Sequence, residues 1–480
     1  MSDPTLPPIT DVSGGHGGTD ARLDDILALA GLFDTAGNGL RGDAWDDKGL
    51  LLNADLVASA ILSPGTFAEA EAEVVAATYG PNGLVVRAVG VEAIALVMEQ
   101  GVAAYRTVDD LSAAIMEGID HAAGYVLGAA LPVLVAGGVL LVGGVALTNP
   151  MLTTFLATNP GAREALLEEG MEGLQGFLED NPELIQHLVN GGGGLLDGFA
   201  NTWLPPGVRA ALFAELGIDP FHPSTNAAAL DLAGLFTDGD PHVTASGEHR
   251  DLPPPGSVED LMANLASTNR GEDGGIDVQV VGEPPNQRYI VNLPGTDDWV
   301  GDPSDVRDLG SNLRLIGGQD TVYSRGIAEA MREAGVPSGA PVMLVGHSQG
   351  GMTAVELAAN EDFRSQYDVQ HVVTAGAPTA QVPHIPDSTQ VLSLENTGDV
   401  VPLTDGEDNP DQPNRTTVQF EQHTGSIGGN HSMDAVYVPG GEALDASGHP
   451  SITESMQQMQ QDGFLGADTT STSAWTITRE

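Results

Sequence analysis

The sequence predicts an α/β domain in the C-terminal half, preceded by an all-α N-terminal region. Three observations predict it. From Gly275 onward, short apolar runs alternate with stretches of helical period, the pattern of a mostly parallel sheet covered on both faces. From Ala21 to about residue 215, apolar side chains recur at helical spacing instead. A glycine-rich turn at 346–351 joins one of the apolar runs directly to a helix.

The bulk numbers bound what the chain can be. At 480 residues it exceeds one compact domain, and 41% hydrophobic residues suffice for a sizeable core. Aromatics make up only 5%, so that core is aliphatic. The chain carries 67 acidic against 17 basic residues, a net charge of −50, and Lys48 is its single lysine. Such a surface repels phosphate backbones and anionic membranes, which excludes nucleic acid as a partner class. The acids are scattered, as on a hydrated face, rather than gathered into a binding block. With no cysteine, disulfides, thiolate catalysis and Cys-ligated zinc are excluded. The 12 histidines show no metal-ligand spacing, so neither metal nor cofactor is expected. The N-terminus lacks a basic stretch followed by an apolar run, so no conventional cleaved signal peptide is expected.

Along the chain, residues 1–20 are rich in Pro, Gly, Asp and Thr and read as a disordered lead-in. The helical region, 21–215, opens with Leu23, Ile26, Leu27, Ala30 and Leu32 on one face. A Gly/Asp/Trp stretch, Ala36–Gly49, predicts a break. Helices follow at 51–62, 65–78, 90–104, 107–118, 151–157, 160–178 and 182–189. Residues 122–148 carry no charged side chain. Their length suits a membrane-spanning helix, and equally a buried helix or helical pair, so membrane contact through 122–148 stays open. Residues 216–256 read as a Pro/Gly-rich linker ending in Pro253–Pro255. The α/β domain spans 257–450. It opens with a short helix, Val258–Ser267, capped by Ser257. Strands are predicted at 276–281, 288–293, 342–345, 370–375 and 390–394, with helices at 321–334 and 349–360. Residues 451–480 read as a polar tail.

The chemistry centres on Gly346-His347-Ser348-Gln349-Gly350. The pentapeptide alone is weak, because Gly makes up 62 of 480 residues. Its setting is specific: the all-apolar run Val342–Val345 precedes it and the helix from Met352 follows. A serine on so sharp a turn needs small neighbours, which Gly346 and Gly350 supply. The helix N-terminus behind Ser348 favours developing negative charge, and the N–H of Gln349 lies where an oxyanion would form.

A serine hydroxyl is a weak nucleophile and needs a base, which in turn needs an orienting carboxylate. Where the elbow lies on an α/β sheet, the expected chain order is Ser, then acid, then His. Asp399 follows the strand 390–394 in a loop, with Glu395, Asp405 and Asp408 as competitors. His431 follows the glycine-rich Gly428-Gly-Asn, with His423 second and His449 also downstream. A second oxyanion donor is expected after the strand 288–293, where Gly295 lets the N–H of Thr296 turn inward. His347 and Trp299, beside the serine and that loop, are candidate substrate-binding residues. Residues 296–320, rich in Asp and Gly, suit a lid or substrate loop.

Together these residues resemble α/β-hydrolases of the class 3 lipase type, over about a third of the chain. The likeness rests on Gly295-Thr296, Gly346–Gly351, Asp399-Val-Val-Pro402, His431 with Tyr437 downstream, and Val372-Val-Thr-Ala-Gly-Ala-Pro378. Ile290–Trp299 also resembles the IV-x-LPGT-x-x-W signature of actinobacterial hydrolases, although Pro294 stands where the family usually has an aromatic. The resemblance implies hydrolysis of an acyl ester, with lipid as a plausible substrate, through Ser348, His431 and Asp399. An acyltransferase on the same triad, or an exported lipase-type toxin or effector, are the alternatives. The N-terminal region looks weakly like helical modules of type VII secretion, since Tyr105-Arg-Thr-Val-Asp109 fits a Y-x-x-x-[DE] export signal. That would allow export without a cleaved signal peptide. Nothing in the sequence sets the oligomeric state.

Overall fold

The computed structural model describes residues 6–15, 18–50, 63–79, 83–103, 224–246, 251–297, 304–382, 384–468 and 470–480, with isolated residues at 57, 197, 209–210 and 214. The segment 122–148, the helices expected at 107–118, 151–157, 160–178 and 182–189, most of 51–62, the Tyr105–Asp109 signal and Trp299 lie outside the described residues. The chain divides into two compact units, Thr19–Ile115 and residues 1–18 with 116–480.

The unit Thr19–Ile115 is helical where it is described: α1 (Thr19–Leu50), α2 (Pro64–Tyr79), and again at 84–103. The break expected at Ala36–Gly49 is absent, and α1 runs through it. A glycine costs a helix only about 1 kcal/mol, which a tertiary contact can offset. Here a Cβ on Gly37 would press to 2.6 Å from the Glu92 side chain. One turn on, Arg41 pairs with that same Glu92, Nε to Oε1 at 3.2 Å. One helix among the described residues, Pro64–Ala103, is long and apolar enough to cross a membrane by length and composition, though it runs over the undescribed 80–82. Core helices meet the same criterion.

The larger unit is built on a sheet. In chain order it runs β1 (Ile9–Gly14), α3 (Thr225–Ala233), β2 (Pro241–Ala245), α4 (Val258–Asn269), β3 (Gly275–Val281), β4 (Arg288–Leu293), α5 (Leu309–Ile316) and α6 (Val322–Glu333). It continues with β5 (Pro341–His347), α7 (Gln349–Ala359), α8 (Glu361–Gln366), β6 (Asp368–Ala375), β7 (Gln390–Asn396) and β8 (Arg415–Phe420). It closes with α9 (Ile427–Asn430), α10 (Val438–Asp445), α11 (Pro450–Gln461) and β9 (Thr470–Arg479). The described residues form one mixed nine-stranded sheet, ordered β1-β8-β7-β6-β5-β4-β3-β9-β2. Strands β4 to β8 are parallel neighbours, and the outer pairings are antiparallel. The chain is thus of the α/β class.

Strand alternation explains the layering. On β5, Val342 and Leu344 join one apolar cluster, together with Val322, Tyr323 and Ile327 of α6 and Ala354, Val355 and Leu357 of α7. Met343 and Val345 point the other way, into a cluster with Leu261, Met262 and Leu265 of α4 and Leu444 of α10. A strand buried on both faces must read as a continuous apolar run, as Val342–Val345 does. Each fully buried Leu, Val or Phe contributes roughly 1.5–3 kcal/mol.

Three sequence boundaries are corrected. The expected disordered lead-in contains β1, which pairs with β8 from Ile9 to Gly14. The expected linker 216–256 holds α3 and β2. The expected polar tail 451–480 is α11 and β9, and β9 lies inside the sheet between β3 and β2. Its Ser/Thr-rich sequence disguised it. Thr fits a pleated strand well, and only Trp475 and the buried Ile477 supply apolar weight.

Candidate active site

The parallel pairing of β4, β5, β6 and β7 brings their C-terminal ends to one edge of the sheet, where ligands of open α/β sheets gather. Ser348 stands there, between β5 and α7. It has φ 54° and ψ −124°, and it is the one non-glycine residue with positive φ among the described residues. A side chain held in this sparsely populated region is strained and must be over-determined by its surroundings. The main chain supplies that: Ser348 N–H donates to Ala375 O at 3.0 Å, and its carbonyl accepts from Gly351 at 2.9 Å and Met352 at 3.2 Å. Glycine is required on both sides of the approach. A Cβ on Gly350 would collide with the main-chain oxygen of Leu293, and one on Gly295 would lie 2.8 Å from the Ser348 Cβ. The loop after β4 therefore passes directly against the serine.

Asp399, three residues beyond β7, is buried and points at His431. Its Oδ2 lies 2.6 Å from His431 Nδ1. Facing a carboxylate, Nδ1 carries the proton, which leaves Nε2 as the acceptor. The Tyr437 hydroxyl donates to the same Oδ2, also at 2.6 Å. Burial, then the Asp399 charge, pushes the Tyr437 hydroxyl well above its usual value, so it remains a donor. Asp399 Oδ1 accepts from the N–H of Val401 at 3.0 Å.

His431 reaches the serine turn through His347. The two rings lie 4.4 Å apart between centroids, and His347 Nε2 is 3.1 Å from the main-chain oxygen of His431. Burial, then the neighbouring His431, pushes the His347 imidazole well below its usual value, so the ring is neutral. Facing a carbonyl, its Nε2 is the donor. His347 is thus buried against His431 rather than an open contact for a substrate. Among the described residues no hydrogen bond joins Ser348 directly to His431. Without substrate such bonds are commonly long and tighten on binding.

The competing residues stand elsewhere. His423 is half exposed, with Nε2 3.2 Å from Glu421. Glu395 accepts from Asn409 at 2.6 Å, and Asp405 accepts from the N–H of Ala380 at 2.7 Å. Burial, acting first, pushes both carboxyls up to about 7.

Two asparagines, missed in the sequence, hold the loop of Asp399 to the loop of His431. Asn396 donates to Gln422 O at 2.9 Å and Asn430 O at 3.0 Å, and accepts from the N–H of Gln422 at 2.9 Å. Asn430 donates to Gly398 O at 2.9 Å and accepts from the N–H of Thr424 at 2.8 Å. Both are buried. Their positions, three before the acid and one before the histidine, were the only available signal.

Of the two expected oxyanion donors, Gln349 is the first residue of α7, so its N–H has no partner within the helix. Its side chain is committed elsewhere, donating to Asp308 O at 2.9 Å. The Thr296 hydroxyl accepts from Asn312 at 3.0 Å, which leaves its N–H as the candidate donor. The loop expected as a lid, 296–320, carries α5 and the start of the turn into α6, packed on the sheet unit where it is described. No group of His, Asp or Glu able to hold a metal ion occurs among the described residues. The chain matches no protein-family model, and no curated protein or solved structure matches it.

Proposed function

We propose that the larger unit is an α/β-hydrolase, joined to a helical N-terminal region, and that it hydrolyses carboxylic esters through an acyl-enzyme on Ser348. The observation that carries this reading is a buried Asp399 bonded to His431 beside a strained serine at the C-terminal edge of parallel strands. In this mechanism Ser348 Oγ attacks the acyl carbon and His431 Nε2 takes its proton. Asp399 holds the imidazole tautomer and stabilises the imidazolium. The oxyanion is received by the N–H groups of Thr296 and Gln349, the latter at a helix N-terminus. The tetrahedral species collapses as His431 returns the proton to the leaving alkoxide. Water, activated by the same nitrogen, then releases the acid.

A fluorophosphonate probe tests the assignment of Ser348, because it phosphonylates a serine activated as a nucleophile and leaves an ordinary serine untouched. Labelling of the full chain that disappears in Ser348→Ala is the expected result. Absence of labelling, or labelling that survives the substitution, overturns it. Turnover of a p-nitrophenyl ester series then reads the acyl length, and activity confined to short esters would remove lipid from the substrate class.

A further inference from the structure

We propose that Arg307 and Asp308, clamped by Arg479 of β9, form a brace that fixes the spacing of the two oxyanion donors. This inference rests on the esterase reading above. An oxyanion hole works only if both donors reach one oxygen at about 2.7–3.1 Å. Here they come from separate places, Thr296 from the loop after β4 and Gln349 from the start of α7. Two consecutive carbonyls tie them together. Arg307 O accepts from the N–H of Asp297, the neighbour of Thr296, at 3.1 Å. Asp308 O accepts from the buried Gln349 side chain at 2.9 Å.

The brace is itself anchored at both residues. Asp308 Oδ1 accepts from the N–H of Ser311 at 2.8 Å, capping α5, and Oδ2 accepts from Arg479 Nη1 at 2.7 Å. Arg479 also donates from its N–H to Ser304 O at 2.8 Å and from Nε to Asp238 O at 2.8 Å. Arg307 is buried, and its Nη2 bonds Asp297 Oδ1 at 2.6 Å. The Asp297 carboxylate in turn accepts from the N–H of Gly274, the residue immediately before β3. Both anchors, β3 and β9, are antiparallel neighbours inside the sheet. The oxyanion loop is thereby referenced to the rigid sheet. Arg307, Asp308 and Arg479 are positioning residues, because they act through Asp297 and Gln349 and touch no reacting atom.

The test uses the full chain with Arg479→Gln, Arg479→Lys and Asp308→Asn. The last keeps a good α5 cap while losing the charge. Hydrolysis of p-nitrophenyl acetate gives kcat and KM, hydrogen exchange reads 294–297 and 348–352, and melting reports the fold. Arg479→Gln and Asp308→Asn are expected to lower kcat about tenfold or more with KM within about twofold. They should also speed exchange in both segments, and Arg479→Lys should recover most of kcat. Unchanged exchange in both segments, wild-type kcat in Arg479→Gln, or a loss confined to KM overturns the brace alone. A wild-type protein that Ser348-directed probes do not label overturns the esterase reading, and the brace's catalytic role with it.

Discussion

At the scale of single residues, the site turns on one oxygen. Asp399 Oδ2 accepts from both His431 Nδ1 and Tyr437 OH. Asp399→Asn keeps the shape but allows the opposite imidazole tautomer, so kcat on p-nitrophenyl acetate should fall roughly 10³–10⁴-fold with the fold intact. A loss of less than tenfold would remove Asp399 from the role. Tyr437→Phe deletes one charge-assisted hydrogen bond at nearly constant volume. Steady-state kinetics should show a kcat about tenfold lower, the size of a bond worth about 1.5 kcal/mol, and unchanged kcat would make the tyrosine a packing residue only. Ser348, Asp399 and His431 were legible because a fixed chain order and distinctive local neighbours mark them. Asn396 and Asn430 were not, because a buried amide is recognisable only by partners far apart in sequence, such as Asn430 and Gly398.

At the scale of elements, the loops after β7 and β8 are joined by those asparagines. Asn396→Ala strands the half-buried Gln422 N–H and the buried Asn430 carbonyl, and thermal or urea unfolding should show a loss of about 1–3 kcal/mol. No change in stability would mean the loops are held by packing. Behind them, Glu395 at the end of β7 and Asp405 before β8 share a buried neighbourhood with Arg415. Burial raises both carboxyls to about 7, above their unfolded values. The folded state therefore binds more protons than the unfolded state in the interval below about 7. Their contribution is present at low pH and is lost as pH rises through the folded value. Melting temperatures from pH 5 to 8 should fall less steeply in Asp405→Asn than in the wild type, and parallel curves would contradict the assignment. Helices α4, α6 and α7 and the parallel strands β4 to β7 were legible from periodicity, whereas α3 and α5 lay in stretches that read as linker and loop. β9 was not, because an alternating Ser/Thr strand has the composition of a solvated tail and shows itself only by pairing with β3 and β2.

At the scale of the whole molecule, the net charge of −50 sets the response to salt. Raising ionic strength from 0.1 to 1 M shortens the Debye length from about 10 Å to about 3 Å and screens the self-repulsion of the compact state. Melting temperature should therefore rise with added KCl, and a flat or falling curve would show that specific ion pairs outweigh the general field. The sheet unit draws strands from both ends of the chain, β1 from residues 9–14 and β9 from 470–479. Removing 470–480 should expose the edge of β3, withdraw Arg479 and abolish the cooperative unfolding transition in calorimetry. A retained transition would make β9 an appendage. The central claim, that the sheet edge is an esterase site built around Ser348, is tested most directly by fluorophosphonate labelling of the wild-type chain beside Ser348→Ala. Stoichiometric labelling of the wild type and none of the variant is the result predicted here; a wild type that stays unlabelled, or a variant that labels equally, would contradict it.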